Sequence, residues 1–243
     1  MAKRSLNRDD LTMEALDQIL DALGFDENEQ IRCVQREDGR EALLLQMNRF
    51  SLVRLYVTGR PDGKRIEGHD SYYEWVLARI EDYKKEKGSD IGFQMDTKEW
   101  QVLFSESADR YVRYLLFSGI QRWQDVERDT RTNVHVADLA RRYADDDVAW
   151  SIYQYKGYIL MMNTIARAEL ALAEKDPQEA TAILSEGLEK IGTYCRECLL
   201  NGHPDAEAVT REHYLANLLK YRAELIHDGR LPDAAREDPS NVV

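Results

Sequence analysis

The sequence is short of the residues that announce most chemistries. It holds three cysteines in 243 residues. An odd, small number in a long chain makes no disulfide framework. Proline is scarce at 5 and glycine modest at 13. Purely apolar runs reach about five residues, against the roughly 20 that a membrane helix needs. Met1-Ala2-Lys3-Arg4-Ser5, running into Asn7-Arg8-Asp9-Asp10, lacks the apolar run of a secretory signal. These absences lead to the expectation of a reduced, cytoplasmic protein with no membrane segment. No glycine loop of the GxGxxG or GxxxxGK[ST] type occurs, and no Gly-x-Ser-x-Gly elbow. None of the five histidines forms His-Glu-x-x-His. No cofactor and no catalytic residue are expected.

What is present is charge. Charged residues make up 32% of the chain and the formal net charge is −12. That total argues against a whole-surface nucleic-acid binder, since phosphate binding needs net positive surface. The hydrophobic fraction of 43% excludes a disordered chain and supplies a full core.

Periodicity divides the chain. Asp9-Asp10 precede Leu11, Leu16, Ile19, Leu20 and Leu23, which predicts a short amphipathic helix over 9–24. Ile31 to Glu37 meets Asp38-Gly39, a hairpin signal, and two further strands follow over Glu41–Met47 and Leu52–Thr58. After the turn at Gly59–Lys64 the pattern becomes helical. Ser71 with Glu74 and Asp96 with Glu99 are capping-box pairs. Helices are expected over 97–118, 121–143, 148–174, from Asp176-Pro177 onward, and over 208–226. The 148–174 segment is apolar on most faces, the mark of a buried helix. The fold class expected is α+β, mainly α. An N-terminal helix and antiparallel β-meander (1–65) pack on a helical domain of stacked antiparallel hairpins (66–227), followed by a flexible tail (228–243).

Ala168, Asp176-Pro177, Ala180, Leu184 and Gly187-Leu188 together resemble one tetratricopeptide repeat. In that family small residues let two antiparallel helices approach closely. A second resemblance covers more of the chain. Leu44-Leu45-Gln46-Met47, the Gly59-Arg60-Pro61-Asp62-Gly63 turn and Tyr158–Thr164 are similar to bacterial proteins labelled by a C-terminal UVR motif. That motif is a helical hairpin that mediates protein contact in nucleotide-excision repair. Here Pro232 falls inside its second helix. The resemblance implies a helical architecture and protein–protein contact, and no established reaction.

Three groups of residues are candidates for a site. Cys195 and Cys198 share a helix face, and His203 follows. They are the metal candidates, although structural zinc needs four ligands; the other reading is two small thiols packed at a helix end. Trp150 and Tyr153, with Tyr155, Tyr158, Tyr111 and Tyr114, either fill the core or line a groove for a peptide or helix. The third group is the strand segment 30–65, which carries Arg32, Arg36, Arg40, Arg49, Arg54, Arg60, Lys64 and Arg65 against Glu37, Asp38, Glu41 and Asp62. The segment is +4 and the remaining residues −16. Alternation on strands puts several of these arginines on one face, where an acidic partner, a second copy of the chain or a phosphate fits; the competing reading is pairing with the chain's own acids. The function expected is a non-enzymatic adaptor or scaffold binding another protein through the helical groove or the sheet. A homodimer through the sheet edges is a further expectation. The alternative is a repair-linked, nucleic-acid-associated accessory protein.

Overall fold

The structure, a computed structural model, describes residues 17–18, 21, 30–48 and 51–232. The helix expected over 9–24 lies outside these residues, apart from Asp17, Gln18 and Asp21, which are helical. Arg49 and the end of the tail, 233–243, also lie outside them. The chain divides into two units, Met1–Thr58 and Gly59–Val243, and the class is α+β, mainly α.

The first unit carries a three-stranded antiparallel sheet in the order β1 (Ile31–Gln35), β2 (Glu41–Asn48), β3 (Ser51–Tyr56). Asp38-Gly39 makes the first turn, with Gly39 at φ +80° and the Asp38 carboxylate accepting from the Arg40 amide at 3.1 Å. The turn sets the register. Arg32 lies opposite Leu44, and Leu44 opposite Arg54; Val34, Ala42 and Tyr56 form the next row on that face. The row of Cys33, Leu43 and Leu55 belongs to the other face.

The expected boundary at residue 65 moves to Gly59, because the loop 59–70 is bonded into the second unit. The Arg60 amide donates to the Asp70 carbonyl at 2.9 Å. Gly59 has φ +65°, and a Cβ there would sit 2.9 Å from that same carbonyl oxygen. Only glycine closes this loop without strain.

The second unit is helical: α1 (Tyr72–Lys87), α2 (Thr97–Gly119), α3 (Trp123–Tyr143), α4 (Asp146–Tyr153), α5 (Lys156–Ala173) and α6 (Pro177–Leu200). Then come α7 (Pro204–Val209), a π-helical stretch at Thr210–Leu215, and α8 (Ala216–His227). Each helix packs on its neighbours, α2 on α3, α3 on α5, and α5 on α6. Asp96 and Glu99 form the expected capping box, both bonds at 2.8 Å. Ser71 caps α1 through the Glu74 amide, while the Glu74 carboxylate reaches the Asp70 amide. Between α5 and α6, Ala168 and Ala180 are fully buried, and Gly187 meets the Thr164 side chain where a Cβ would clash.

The single helix expected over 148–174 is broken at Gln154-Tyr155. The Tyr194 hydroxyl, from α6, donates to the carbonyls of Tyr153 (3.3 Å) and Gln154 (2.9 Å). A side chain inserted into the carbonyl ladder is a sufficient cause of a kink. The first residues of the tail expected from 228 are held to the helical unit: Arg230 donates to Glu169 at 2.7 and 3.1 Å, and Leu231 is buried.

Buried charge joins the elements. The Arg113 guanidinium donates twice to Asp129, at 2.6 and 2.7 Å, and once to the Gly59 carbonyl at 2.9 Å. Arg113 is 1% and Asp129 2% exposed. Glu106 on α2 accepts from the Tyr72 amide at 2.7 Å and the Tyr73 amide at 3.3 Å, so it anchors the α1 N-terminus. Removing one partner of a buried pair leaves the other as an uncompensated charge. Arg113→Met is therefore expected to cost about 3–5 kcal/mol in chemical denaturation, with Arg113→Met/Asp129→Leu recovering much of that loss.

Candidate functional site

The sheet register gathers cations around one tyrosine. The guanidinium carbons of Arg36, Arg40 and Arg54 lie 5.3, 4.2 and 5.1 Å from the centroid of the Tyr56 ring. Hairpin closure brings Arg36 and Arg40 together. Arg54 is two residues from Tyr56 on one strand, so their side chains leave the same face. A guanidinium within about 6 Å of a ring is held by the ring quadrupole, at about 0.5–1 kcal/mol on a surface. Three cations therefore sit close together despite their repulsion. Asp38 relieves part of it, through Arg40 at 2.8 Å and Arg36 at 3.4 Å, and these contacts hold its carboxyl below the usual range. Arg54 pairs with no carboxylate among the described residues. Arg32, across Leu44 from Arg54, extends the row.

The other candidates of the basic segment belong to the second unit and are paired there. Arg60 binds Asp62 at 2.9 Å and lies 3.7 Å from Glu106. Lys64 is 4.0 Å from Asp62, and Arg65 is 2.7 Å from Asp70. The loop 59–70 neutralises its own cations. So the segment splits: Arg36 and Arg54 come together with Arg40, and Arg60, Lys64 and Arg65 do not share their arrangement. Tyr56 was not legible as the centre of this cluster by residue type; the alternation of β3 was the available signal.

Trp150 and Tyr153 make ring and hydroxyl contacts within the helical unit. The Trp150 ring lies flat on His203, centroids 3.5 Å apart and planes at 4°. Tyr153 is buried, and its hydroxyl donates to Glu197. Cys195 and Cys198 are buried on α6, and His203 is engaged by Trp150. Among the described residues no three His, Cys, Asp or Glu side chains converge as a metal set would.

A cavity of about 470 Å³ opens in the helical unit instead. Tyr111, Tyr114, Tyr155 and Tyr158 line it, with Phe104 and Tyr214, which the sequence pattern did not connect to them. No helix among the described residues is long and apolar enough to cross a membrane.

Comparison with known proteins yields no relative: no family model, no curated protein and no solved structure matches the chain.

The thiols supply a check on this placement. Burial pushes the Cys195 thiol up to about 11 from an ordinary value near 9.0, and Cys198 upward too. The folded chain thus holds the Cys195 proton more tightly than the unfolded chain. The thiol's contribution is fully present below about pH 9 and is lost as the pH rises toward 11. Iodoacetamide at pH 8, followed by peptide mass spectrometry, is expected to label exposed Cys33 quickly, and Cys195 and Cys198 only as the protein unfolds.

Proposed function

We propose that this protein is a non-enzymatic adaptor that binds an acidic segment of another protein through the cationic face of its sheet. The observation that carries the reading is the cluster of Arg36, Arg40 and Arg54 around Tyr56, with Asp38 bound to two of the three. Guanidiniums fixed by a ring and a hairpin are pre-organised donors for carboxylates.

Two considerations favour an acidic peptide over a nucleic acid. Tyr56 is only 5% exposed, so its ring offers no free platform for a base to stack on. A long polyanion also meets the field of a chain with net charge −12, whereas a short acidic segment needs only the local cations.

Fluorescence anisotropy with a labelled oligoglutamate peptide and a labelled DNA duplex separates these readings. The peptide is expected to bind at low salt and to be released as salt rises. Arg36→Glu/Arg54→Glu is expected to weaken it by about tenfold or more, since like charges replace complementary ones. Tighter binding of the duplex, lost in the same variant, transfers the function to nucleic acid. Peptide binding that is indifferent to the variant removes the sheet face from the account.

A further inference from the structure

The cavity in the helical unit supports an inference separate from the sheet. Its walls come from α2, α3, α4, α5 and the π-helical stretch, and rings make up most of them. Phe104 and Tyr155 stack at 6.3 Å; Tyr158 meets Tyr111 at 5.8 Å and Tyr214 at 5.4 Å, both edge to face. Tyr111 and Tyr155, 43% and 52% exposed, stand at the mouth, and Tyr114, fully buried, lies at the floor. Among the described residues no charged side chain lines the space.

The π-helical turn is part of the construction. A π stretch shifts the following residues around the helix axis and is common at functional sites. Here Thr210 bonds back to the Ala206 carbonyl at 2.7 Å, and Gly157 on α5 lies so close that a Cβ would come within 2.8 Å of the Thr210 side chain. Close approach of α5 at this glycine keeps Tyr214 in the cavity wall against Tyr158.

Two buried polar atoms in the lining have no partner, the Tyr114 hydroxyl and the Asn133 Oδ1. The orientation of Asn133 is fixed. Its Nδ2 donates to the Ser107 carbonyl at 2.9 Å, an atom that can only accept, so the amide oxygen must be the free end. An unmade buried hydrogen bond costs free energy, and such groups are ordinarily satisfied. Burial also raises the Tyr114 phenol well above its ordinary value, so it stays protonated and able to donate.

We propose that this cavity is a binding site for a small, uncharged, flat ligand, an arene bearing a hydroxyl or amide that donates to Asn133 and accepts from Tyr114. The volume falls within the usual range for small-molecule sites, and the lining is the usual apolar wall with a few placed polar groups. A charged ligand finds no counter-ion there and loses its hydration on entry.

Isothermal titration of the full chain with three probes tests the assignment: 2-naphthol, naphthalene and 2-naphthoate. The expected order is 2-naphthol bound most tightly, naphthalene about tenfold weaker, and 2-naphthoate not bound. Ala108→Trp puts a ring into the space from an exposed position and is expected to abolish binding of both neutral probes. Tyr114→Phe, which removes an unpartnered hydroxyl and keeps the packing, is expected to bring 2-naphthol down to the level of naphthalene while leaving the melting temperature of the free protein unchanged or higher. No binding of any probe means that water satisfies Tyr114 and Asn133, and overturns the proposal. Equal affinity for 2-naphthol and naphthalene, binding of 2-naphthoate, or undiminished binding by folded Ala108→Trp overturns it too.

Discussion

The bidentate pair between Arg113 and Asp129 is the interaction on which the helical unit depends. It joins α2 to α3, and the third bond of the same guanidinium reaches the Gly59 carbonyl. One side chain thus ties two helices to the loop that opens the unit. Glu106, two turns earlier on α2, performs the complementary task by holding the α1 N-terminus. Burying such charges carries a desolvation cost that favourable geometry only offsets. Their return is positional. A hydrophobic pair tolerates sliding, whereas a two-pronged guanidinium–carboxylate contact admits one register of α2 against α3. That register sets Tyr114 and Asn133, one residue and four residues along from these anchors, as neighbours in one cavity lining.

Charge is partitioned by the same means. Cations in the helical unit meet carboxylates: Arg60 with Asp62, Arg65 with Asp70, Arg128 with Asp125 at 2.5 Å and Asp129 at 3.0 Å. In the sheet unit Arg36, Arg40 and Arg54 crowd one ring, and Asp38 meets the first two. A net charge of −12 describes neither arrangement. The sheet unit carries a cluster of cations around one ring, and the helical unit a cavity lined by aromatic, apolar and uncharged polar residues.

Much of the fold was legible in local signals. The Asp38-Gly39 turn and the alternation of β1 to β3 gave the sheet, and Asp96 with Glu99 and Asp176 with Pro177 gave two helix starts. What escaped the reading was caused from a distance. The break at Gln154-Tyr155 is made by the hydroxyl of Tyr194, some forty positions away. The neutralisation of Arg60 draws on Glu106. The basic segment read as one feature along the chain, yet Arg60, Lys64 and Arg65 meet Asp62, Glu106 and Asp70, whereas Arg36, Arg40 and Arg54 gather at the Tyr56 ring with Asp38 against the first two. The aromatic clusters were visible, but Trp150 and Tyr153 left them by finding His203 and Glu197, while Tyr214 joined through a π-helical shift that periodicity at 3.6 residues conceals. Residue type located the rings; packing decided which of them enclose space.

The most direct test of the account is a map of where an acidic ligand lands. Titration of isotope-labelled protein with oligoglutamate, followed by amide, guanidinium and tyrosine-ring resonances, reads this residue by residue. The account predicts the largest shifts at Arg36, Arg40, Arg54 and Tyr56, with Arg60 and Arg65 nearly still. Largest shifts in the 59–70 loop or along the helices would contradict it.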